Sequence, residues 1–289
     1  MDHDAEGAGL KARSAPQAHI MEATMRHIDL TEVALRYQLA GEAGPVVVLI
    51  HEMGGMLESW DEVVPLIAPR CRVLRYDVRG AGQSEKIAGS VTLDMLARDL
   101  LALLDALHIE EPVVIAGNAV GAAIALAFAA RWPGRTAGVL AMSPALDIPP
   151  GERETRLAML APVMRDGVRS IVEAALAIGY PQELRDRAPE RFRAFRTRWL
   201  GNDPESFAST YRMLIDLDMR DDLAAIRCPV VGVCGTLDGL RPPAHVRGVL
   251  GAIPGVSFVE IEACHHQPVA TPEPVAAEIL RFLDRLSQA

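Results

Sequence analysis

Short apolar runs alternate with longer amphipathic stretches along most of the chain. Six runs have the length and composition of buried strands, at residues 46–50, 73–76, 113–116, 139–142, 230–234 and 258–261. Segments 25–30 and 33–39 predict an opening antiparallel pair, and segments 59–67, 92–107 and 272–286 predict helices. Because strands that alternate with helices pair in parallel, the chain is predicted to form a mostly parallel sheet with helices on both faces.

The most apolar segment, residues 113–130, approaches the length of a membrane span and has Asn118 as its only polar member. Its glycines at positions 117 and 121 divide it into a β-branched run and an alanine-rich helix. The segment therefore predicts a buried strand that turns into a buried helix, and no membrane partner.

No run of the strand type occurs between residues 145 and 226, where helical stretches are broken by Pro and Gly clusters. We expect residues 145–226 to form a helical cap over the carboxyl ends of the strands, where open α/β sheets bind ligands. Residues 23–144 and 227–289 would form the core domain. Residues 1–22 lack the apolar core of a signal peptide and are predicted to be a flexible N-terminal tail.

Composition narrows the classes of function. The net charge of −9, without an extended Lys/Arg run, argues against nucleic acid as a partner. The four cysteines lie far apart and lack the spacing of a zinc site or a disulfide framework. We therefore expect a cytoplasmic protein that holds no metal. A homodimer is compatible with the sequence, which does not fix the oligomeric state.

The candidate chemistry lies where predicted strands end. Residues 117–121 read Gly-Asn-Ala-Val-Gly between a buried strand and a helix, which is the context of the G-x-S-x-G nucleophile elbow. Alanine, Ala119, occupies the serine position. The two glycines allow a tight turn, and the N–H groups at the start of the helix are free to stabilise a developing oxyanion.

Four further motifs follow predicted strands. They are His-Glu-Met-Gly-Gly at 51–55, Asp-Val-Arg-Gly-Ala-Gly-Gln-Ser at 77–84, Cys-Gly-Thr-Leu-Asp at 234–238 and Cys-His-His-Gln-Pro at 264–268. Ala119, Asp238 and His266 stand in the chain order of nucleophile, acid and base.

On these motifs the chain resembles the α/β-hydrolase superfamily from about residue 25 to its end, most closely 3-oxoadipate enol-lactonases and aminoacrylate hydrolases. The resemblance implies an α/β-hydrolase fold with an inserted helical cap, and no cofactor. It also implies that His266 is the base, that Asp238 orients it, and that the N–H groups of Met53 and Val120 form the oxyanion hole. Some aminoacrylate-type members also lack the serine.

For the base and for the acid, the sequence offers a second candidate residue. His265 competes with His266 for the role of base, although the H-x-P continuation matches the family pattern from His266. Asp147, which follows the strand at 139–142, competes with Asp238 for the role of acid, because some members of the superfamily take their acid from that position.

Other residues near the predicted strand ends are accessory candidates. His51 is most often a loop-bracing residue in such a motif. Glu52 stands where the family usually has glycine, and it could activate water, repel anionic substrates or face solvent. Ser143, Cys234 and Cys264 are substitute nucleophiles that would have to reach the oxyanion donors from the wrong loop.

Six arginines crowd residues 185–198 of the predicted cap, opposed by two acidic residues. Arginine forks bind carboxylates in bidentate fashion, so this stretch could hold a carboxylated ligand. A helix with many arginines is also typical of a solvated face.

Because Ala119 has no Oγ, an acyl-enzyme cannot form at this residue. We predict a hydrolase of a small, carboxylated substrate with an activated carbonyl, such as an enol lactone, enamine, carbamate, ester or amide. Water activated by His266 would attack the carbonyl that the oxyanion hole polarises. The alternatives are an engineered Ser-to-Ala form of an ordinary esterase or lactonase, a non-catalytic ligand-binding protein, and cofactor-independent C–C or oxygen chemistry on an enolate.

Overall fold

The computed structural model describes residues 25–148 and 151–288, so the predicted tail at 1–22 lies outside the described residues. The strands are β1 (Arg26–Asp29), β2 (Ala34–Ala40), β3 (Val46–Ile50), β4 (Arg72–Tyr76), β5 (Val113–Asn118), β6 (Thr136–Met142), β7 (Val230–Gly235) and β8 (Ser257–Ile261). The α-helices are α1 (Val64–Ile67), α2 (Leu93–Ala106), α3 (Val120–Arg131), α4 (Arg153–Ala158), α5 (Leu160–Asp166), α6 (Arg169–Gly179), α7 (Gln182–Arg187), α8 (Pro189–Leu200), α9 (Pro204–Ile215), α10 (Arg220–Ala225), α11 (Pro243–Leu250), α12 (Gln267–Ala270) and α13 (Pro272–Leu286).

The strands form one sheet in the order β1-β2-β4-β3-β5-β6-β7-β8. β1 and β2 pair antiparallel, β2 pairs antiparallel with β4, and the strands from β3 to β8 are parallel. Successive side chains of β3 enter different cores: Val48 and Ile50 pack with α2 and α3, whereas Leu49 packs with α1 and α13. The predicted parallel sheet with helices on both faces is confirmed, and its strand ends meet at one edge.

The apolar segment at 113–130 divides as predicted. Every residue of β5 is buried, and the chain turns at Ala119 into α3, which is buried along almost its whole length. Among the described residues, no helix is long and apolar enough to cross a membrane. The apolar composition of this segment is therefore explained by its position at the centre of the sheet domain.

The helix predicted at 59–67 is interrupted. A 3-10 turn at Leu57–Trp60 is followed by α1, which has Pro65 in its first turn. Proline lacks the N–H that a continuous helix would need at this position, and its ring crowds the carbonyl four residues earlier. The α-helix therefore begins only just before the proline, and the predicted length was wrong.

Residues 151–226 contain α4 to α10, and no strand occurs among the described residues of the predicted cap. Aromatic side chains of this helical stretch, including Tyr180, Phe195 and Trp199, form an apolar cluster with Cys264 and Val269 of the chain that follows β8. This cluster places α6 and α8 over the carboxyl ends of β7 and β8. The division into core and cap stays a prediction.

Gly117 is required by the close approach of β5 and α3. A Cβ at this position would lie 2.3 Å from the carbonyl oxygen of Gly121, a backbone atom that cannot move independently. We expect Gly117→Ala to lower the free energy of unfolding by about 1–3 kcal/mol, as overpacking does elsewhere. Gly134→Ala is the matched control, since a Cβ there meets nothing within 4 Å. Equal urea midpoints for the two variants would contradict the expectation.

Candidate active site

The turn at Ala119 has the backbone geometry of a nucleophile elbow. Its φ of 51° and ψ of −111° are unusual for a residue with a Cβ, and surrounding hydrogen bonds hold them. The Ala119 N–H donates to the Met142 carbonyl at 2.9 Å, and the Ala119 carbonyl accepts from the Ala145 N–H at 3.2 Å. Val120 begins α3, so its N–H has no acceptor within the helix and is available to a ligand.

The loop after β8, which carries the two histidines, is anchored to neighbouring strand ends. The Asn118 side-chain amide donates to the His265 carbonyl at 3.0 Å. The Gln267 amide donates to Ser143 Oγ at 2.8 Å and to the Val233 carbonyl at 3.1 Å. These contacts fix the histidine loop relative to the elbow, because Asn118 directly precedes Ala119.

Asp238 is hydrogen-bonded to His265, and not to His266 as predicted. Its Oδ2 lies 3.1 Å from His265 Nδ1, and its Oδ1 accepts the N–H groups of Leu240 and Arg241, both at 2.8 Å. Burial alone would raise the pKa of Asp238, but the hydrogen bonds and charge of His265, with smaller contributions from other donors, lower it to about 2. The carboxylate is therefore ionised at neutral pH.

The predicted orientation of His266 by Asp238 was wrong for a local reason. Adjacent side chains in this turn point in different directions, so only one of the two histidines can face Asp238. The ring of His265 takes that direction, which leaves Nε2 as its free nitrogen, and His265 lines a cavity above the strand ends. The sequence alone had left two candidates for the base, because the two histidines are consecutive.

His266 turns toward the helices above the sheet. Its ring centroid lies 4.8 Å from that of Phe195 and 6.1 Å from that of Trp199, and the residue is buried. Burial, with a smaller contribution from His265, lowers the pKa of His266 well below its usual value. His266 is therefore a neutral imidazole at physiological pH.

The two residues that open the 51–55 motif have different environments. His51 bridges two loops, because its Nδ1 lies 2.7 Å from the Glu52 carbonyl and its Nε2 accepts the Val78 N–H at 3.0 Å. Both ring nitrogens of His51 are thus occupied by contacts that hold the two loops together. Glu52 is completely buried and accepts from Ser59 Oγ at 2.9 Å, so its carboxylate does not face solvent.

A cavity of about 230 Å³ lies between the sheet and the helices above it. Met53, Ala119, Val120, His265 and His266 all line it, together with apolar side chains from the predicted cap. The structure thus brings the predicted nucleophile position, both predicted oxyanion residues and both histidines to one cavity. A cavity of this kind suits a small organic ligand.

Two arginines that sequence reasoning did not single out, Arg156 and Arg241, also line the cavity. The Arg156 guanidinium forms an ion pair with Glu152 at 2.6 Å. Arg241 forms no ion pair with a carboxylate of the described residues; it donates to the carbonyls of Asp147 and Leu240, and its Nε is buried without a hydrogen-bond partner. No local motif marks Arg241, because the fold brings it to the cavity.

The arginines of residues 185–198 do not line this cavity. Most of them pair with surface acids or backbone carbonyls: Arg185 with the Tyr180 and Leu176 carbonyls, Arg187 with Glu183 and Glu262, Arg191 with Glu62, Arg193 with Glu190, and Arg196 with Glu173. A carboxylate site in this stretch would therefore lie outside this cavity, and it stays a prediction.

The alternative acid and nucleophiles have other partners. Asp147 also lines the cavity, but its Oδ1 lies 3.0 Å from His245 Nε2, and its side chain forms no hydrogen bond to either histidine of the loop after β8. Ser143 accepts from Gln267, and burial raises the pKa of the Cys234 and Cys264 thiols, that of Cys264 to about 12. None of these three side chains lines the cavity. They do not supply a substitute nucleophile.

A family model described as the alpha/beta hydrolase fold matches residues 45–170. The chain is 27% identical to 3-oxoadipate enol-lactonase 2 of Acinetobacter baylyi over 256 residues, which cover 87% of this chain and 95% of that protein. It is 28% identical to the pimeloyl-acyl-carrier-protein methyl ester esterase of Aliivibrio salmonicida over 259 residues, with coverages of 86% and 96%.

Solved structures show the same likeness. The enol-lactonase from Burkholderia xenovorans LB400 superimposes with a TM-score of 0.84 at 27% identity, covering 90% of this chain and 100% of that one. Each of these three proteins is similar over almost its whole length, and each is named as a lactonase or an esterase.

Proposed function

The chain belongs to the α/β-hydrolase superfamily, and from this membership we propose that it hydrolyses an activated carbonyl with bound water in place of a seryl Oγ. The observation that carries the proposal is the Asp238–His265 pair, which meets the same cavity as Ala119 and Val120. A protein that only bound a ligand would gain nothing from a buried carboxylate that holds a histidine toward the binding site.

The geometry supports a role for His265 as general base. With its Nδ1–H directed at Asp238, the Nε2 lone pair can accept a proton from water near the Ala119 methyl group. The ionised Asp238 stabilises the resulting imidazolium, which then returns the proton to the leaving group. We assign the N–H groups of Val120 and Met53, two residues that line the cavity, to the oxyanion hole, and the proposed reaction needs no cofactor.

The missing Oγ limits the substrates that such a site can hydrolyse. In serine proteases stripped of a triad member, roughly 10³–10⁴ of the acceleration survives through the oxyanion hole and binding. Substrates with good leaving groups or strained carbonyls, such as enol lactones, carbamates and activated esters, therefore fit best. The volume of about 230 Å³ restricts them to small molecules.

Arg241 supports a carboxylate on the substrate. The Arg241 guanidinium lies at the cavity without a carboxylate partner among the described residues, and its Nε is buried and unbonded. A substrate carboxylate would provide the missing acceptor in a bidentate, charge-assisted contact. Arg241 also follows Asp238 closely in the chain, so the bound carboxylate would lie near the proton-transfer pair.

Arg241→Met is expected to raise KM for a carboxylated ester by about 10- to 100-fold, since hydrogen bonds to charged groups contribute about 1.5–3 kcal/mol. KM for the matching neutral ester should change less than threefold, because the contact exists only with the anion. Arg187→Met is the matched control, as Arg187 pairs with Glu183 and Glu262 away from the cavity. Equal losses with both esters would show that Arg241 acts through packing.

The proposed function is tested by measuring turnover by the unmodified chain. The panel contains enol lactones, aryl esters, carbamates and thioesters, each with and without a carboxylate. We expect turnover of at least one carboxylated substrate without a pre-steady-state burst and without a covalent adduct in the intact mass. If ligands of the panel bind to the cavity but none is hydrolysed, the protein is a binding protein of hydrolase fold.

A further inference from the structure

Glu52 and His266 are buried titratable residues that the mechanism above does not use. Glu52 is 0% exposed and His266 is 3% exposed. Glu52 Oε1 lies 4.0 Å from His266 Nδ1, and neither Glu52 Oε2 nor His266 Nδ1 has a hydrogen-bond partner. Leaving such atoms buried and unbonded is costly, so this arrangement requires a reason beyond filling space.

The loop after β3 is built around the Glu52 carboxylate. Ser59 Oγ donates to Glu52 Oε1 at 2.9 Å and fixes one carboxylate oxygen. Gly55 has no side chain at the point where a Cβ would lie 2.4 Å from the same oxygen. A larger residue at position 55 would displace the carboxylate. The sequence thus combines an unusual glutamate with the glycine that makes room for it.

The opposite edge of the His266 ring lies beside Gly179. A Cβ on Gly179, the last residue of α6, would lie 2.9 Å from His266 Nε2 and 3.2 Å from Leu240 Cδ1. Because Gly179 has no Cβ, no side chain of this residue covers Nε2. His266 and Leu240 both line the cavity. His266 therefore directs Nδ1 toward Glu52 and Nε2 toward Gly179, at the edge of the cavity.

A water that replaces a seryl Oγ has a requirement that the serine does not have. The Oγ is held by a covalent bond, whereas a water needs two to four polar partners to stay in one position. His265 Nε2 can supply one. The ring centroids of His265 and His266 lie 5.3 Å apart with an interplanar angle of 79°, so a second imidazole nitrogen is available nearby.

We propose that Glu52 and His266 form a second carboxylate–imidazole pair of the cavity, in which His266 hydrogen-bonds the attacking water and Glu52 positions His266. This inference rests on the proposed water mechanism. The carboxylate favours the tautomer with its proton on Nδ1, which leaves Nε2 as a hydrogen-bond acceptor.

The step balances without a change in the charge of His266. One water proton moves to His265 Nε2 as the new C–O bond forms, and the other proton stays on that oxygen, hydrogen-bonded to His266 Nε2. The bond to the leaving group then breaks, and the leaving group takes the proton from His265. The lowered pKa of His266 agrees with a ring that stays neutral throughout.

Kinetics of His266→Phe and Glu52→Gln on a substrate that the parent hydrolyses test the proposal. We expect kcat to fall about 10- to 100-fold in each variant with KM changed less than threefold, the size of effect expected from misplacing one reactant. The double variant should be no slower than His266→Phe alone, because Glu52 acts through His266. Glu62→Gln, which removes a carboxylate paired with Arg191, is the matched control and should leave kcat unchanged.

A readout independent of turnover is the tautomer of His266, measured from imidazole ¹⁵N chemical shifts. The parent should show the proton on Nδ1, and Glu52→Gln should shift the population toward the other tautomer. Unchanged kcat in both variants of an active parent, additive losses in the double variant, or a proton on Nε2 would each overturn the proposal. An inert parent would instead overturn the hydrolytic function on which it rests.

Discussion

An Ala119→Ser variant is expected to be labelled covalently at residue 119 by a fluorophosphonate probe, whereas the parent chain is not. The backbone at this residue already has φ of 51° and ψ of −111°, so a serine needs no rearrangement to enter the elbow. Its Oγ would extend into the cavity that the Ala119 methyl group lines, beside the N–H of Val120. Intact-mass analysis and peptide mapping measure the adduct.

The base required for this labelling distinguishes the two histidines. His265→Ala in the Ala119→Ser background should slow labelling by about 10²–10⁴-fold, the usual contribution of a general base. His266→Phe in the same background should slow it far less, since a serine does not need a second residue to hold it. Rapid labelling without His265 would contradict the assignment of the base.

The same variant bears on the origin of the alanine. If the parent hydrolyses nothing and Ala119→Ser becomes a fast esterase on the same panel, the water mechanism is wrong and the alanine replaces a functional serine. If the parent is active and the serine variant accumulates an acyl-enzyme, the site is adapted to water.

Removing the base from the parent chain should cause the largest loss of hydrolysis. We expect His265→Ala to lower kcat/KM by about 10²–10⁴-fold, because the attacking water then loses the base that takes its proton. Asp238→Asn should cause a loss in the same range, since an amide can stabilise the wrong tautomer of His265 and cannot stabilise its imidazolium. Steady-state kinetics with the best substrate of the panel measures both.

His245→Ala is the matched control for this pair of variants. His245 also contacts a carboxylate, with Nε2 3.0 Å from Asp147 Oδ1, but it does not line the cavity. Its removal should change kcat/KM less than threefold. If His266→Ala removed activity while His265→Ala did not, the base would be His266 in spite of its separation from Asp238.

The order of elements could be predicted from sequence because each strand and helix has its own local period. Val46–Ile50 is apolar at every position, as an inner strand must be, and Pro272–Leu286 has the bounds predicted for the closing helix. The position of the elbow could be predicted because the close approach of strand and helix requires glycine, and the two glycines are visible in the sequence. A residue pattern thus predicts the strands, helices and turns that depend on residues close together in the chain.

The pairing of side chains across the site could not be predicted in the same way. His265 and His266 are adjacent, and the choice between them depends on how the loop after β8 meets β5 and β7 through Asn118 and Gln267. Arg241 was overlooked because it has no motif of its own. These features follow from contacts between residues 27 to 147 positions apart, or from the path of a loop, which no local period encodes.

The hydrogen bonds at Ala119 also have a consequence for how this site can evolve. They join the main chain of the turn to Met142 and Ala145, so the rest of the fold fixes the backbone whatever side chain stands there. Exchanging that side chain is then a local chemical event, with little remodelling around it. On the proposed mechanism, a single codon change at position 119 is enough to move this scaffold between covalent and water-based catalysis.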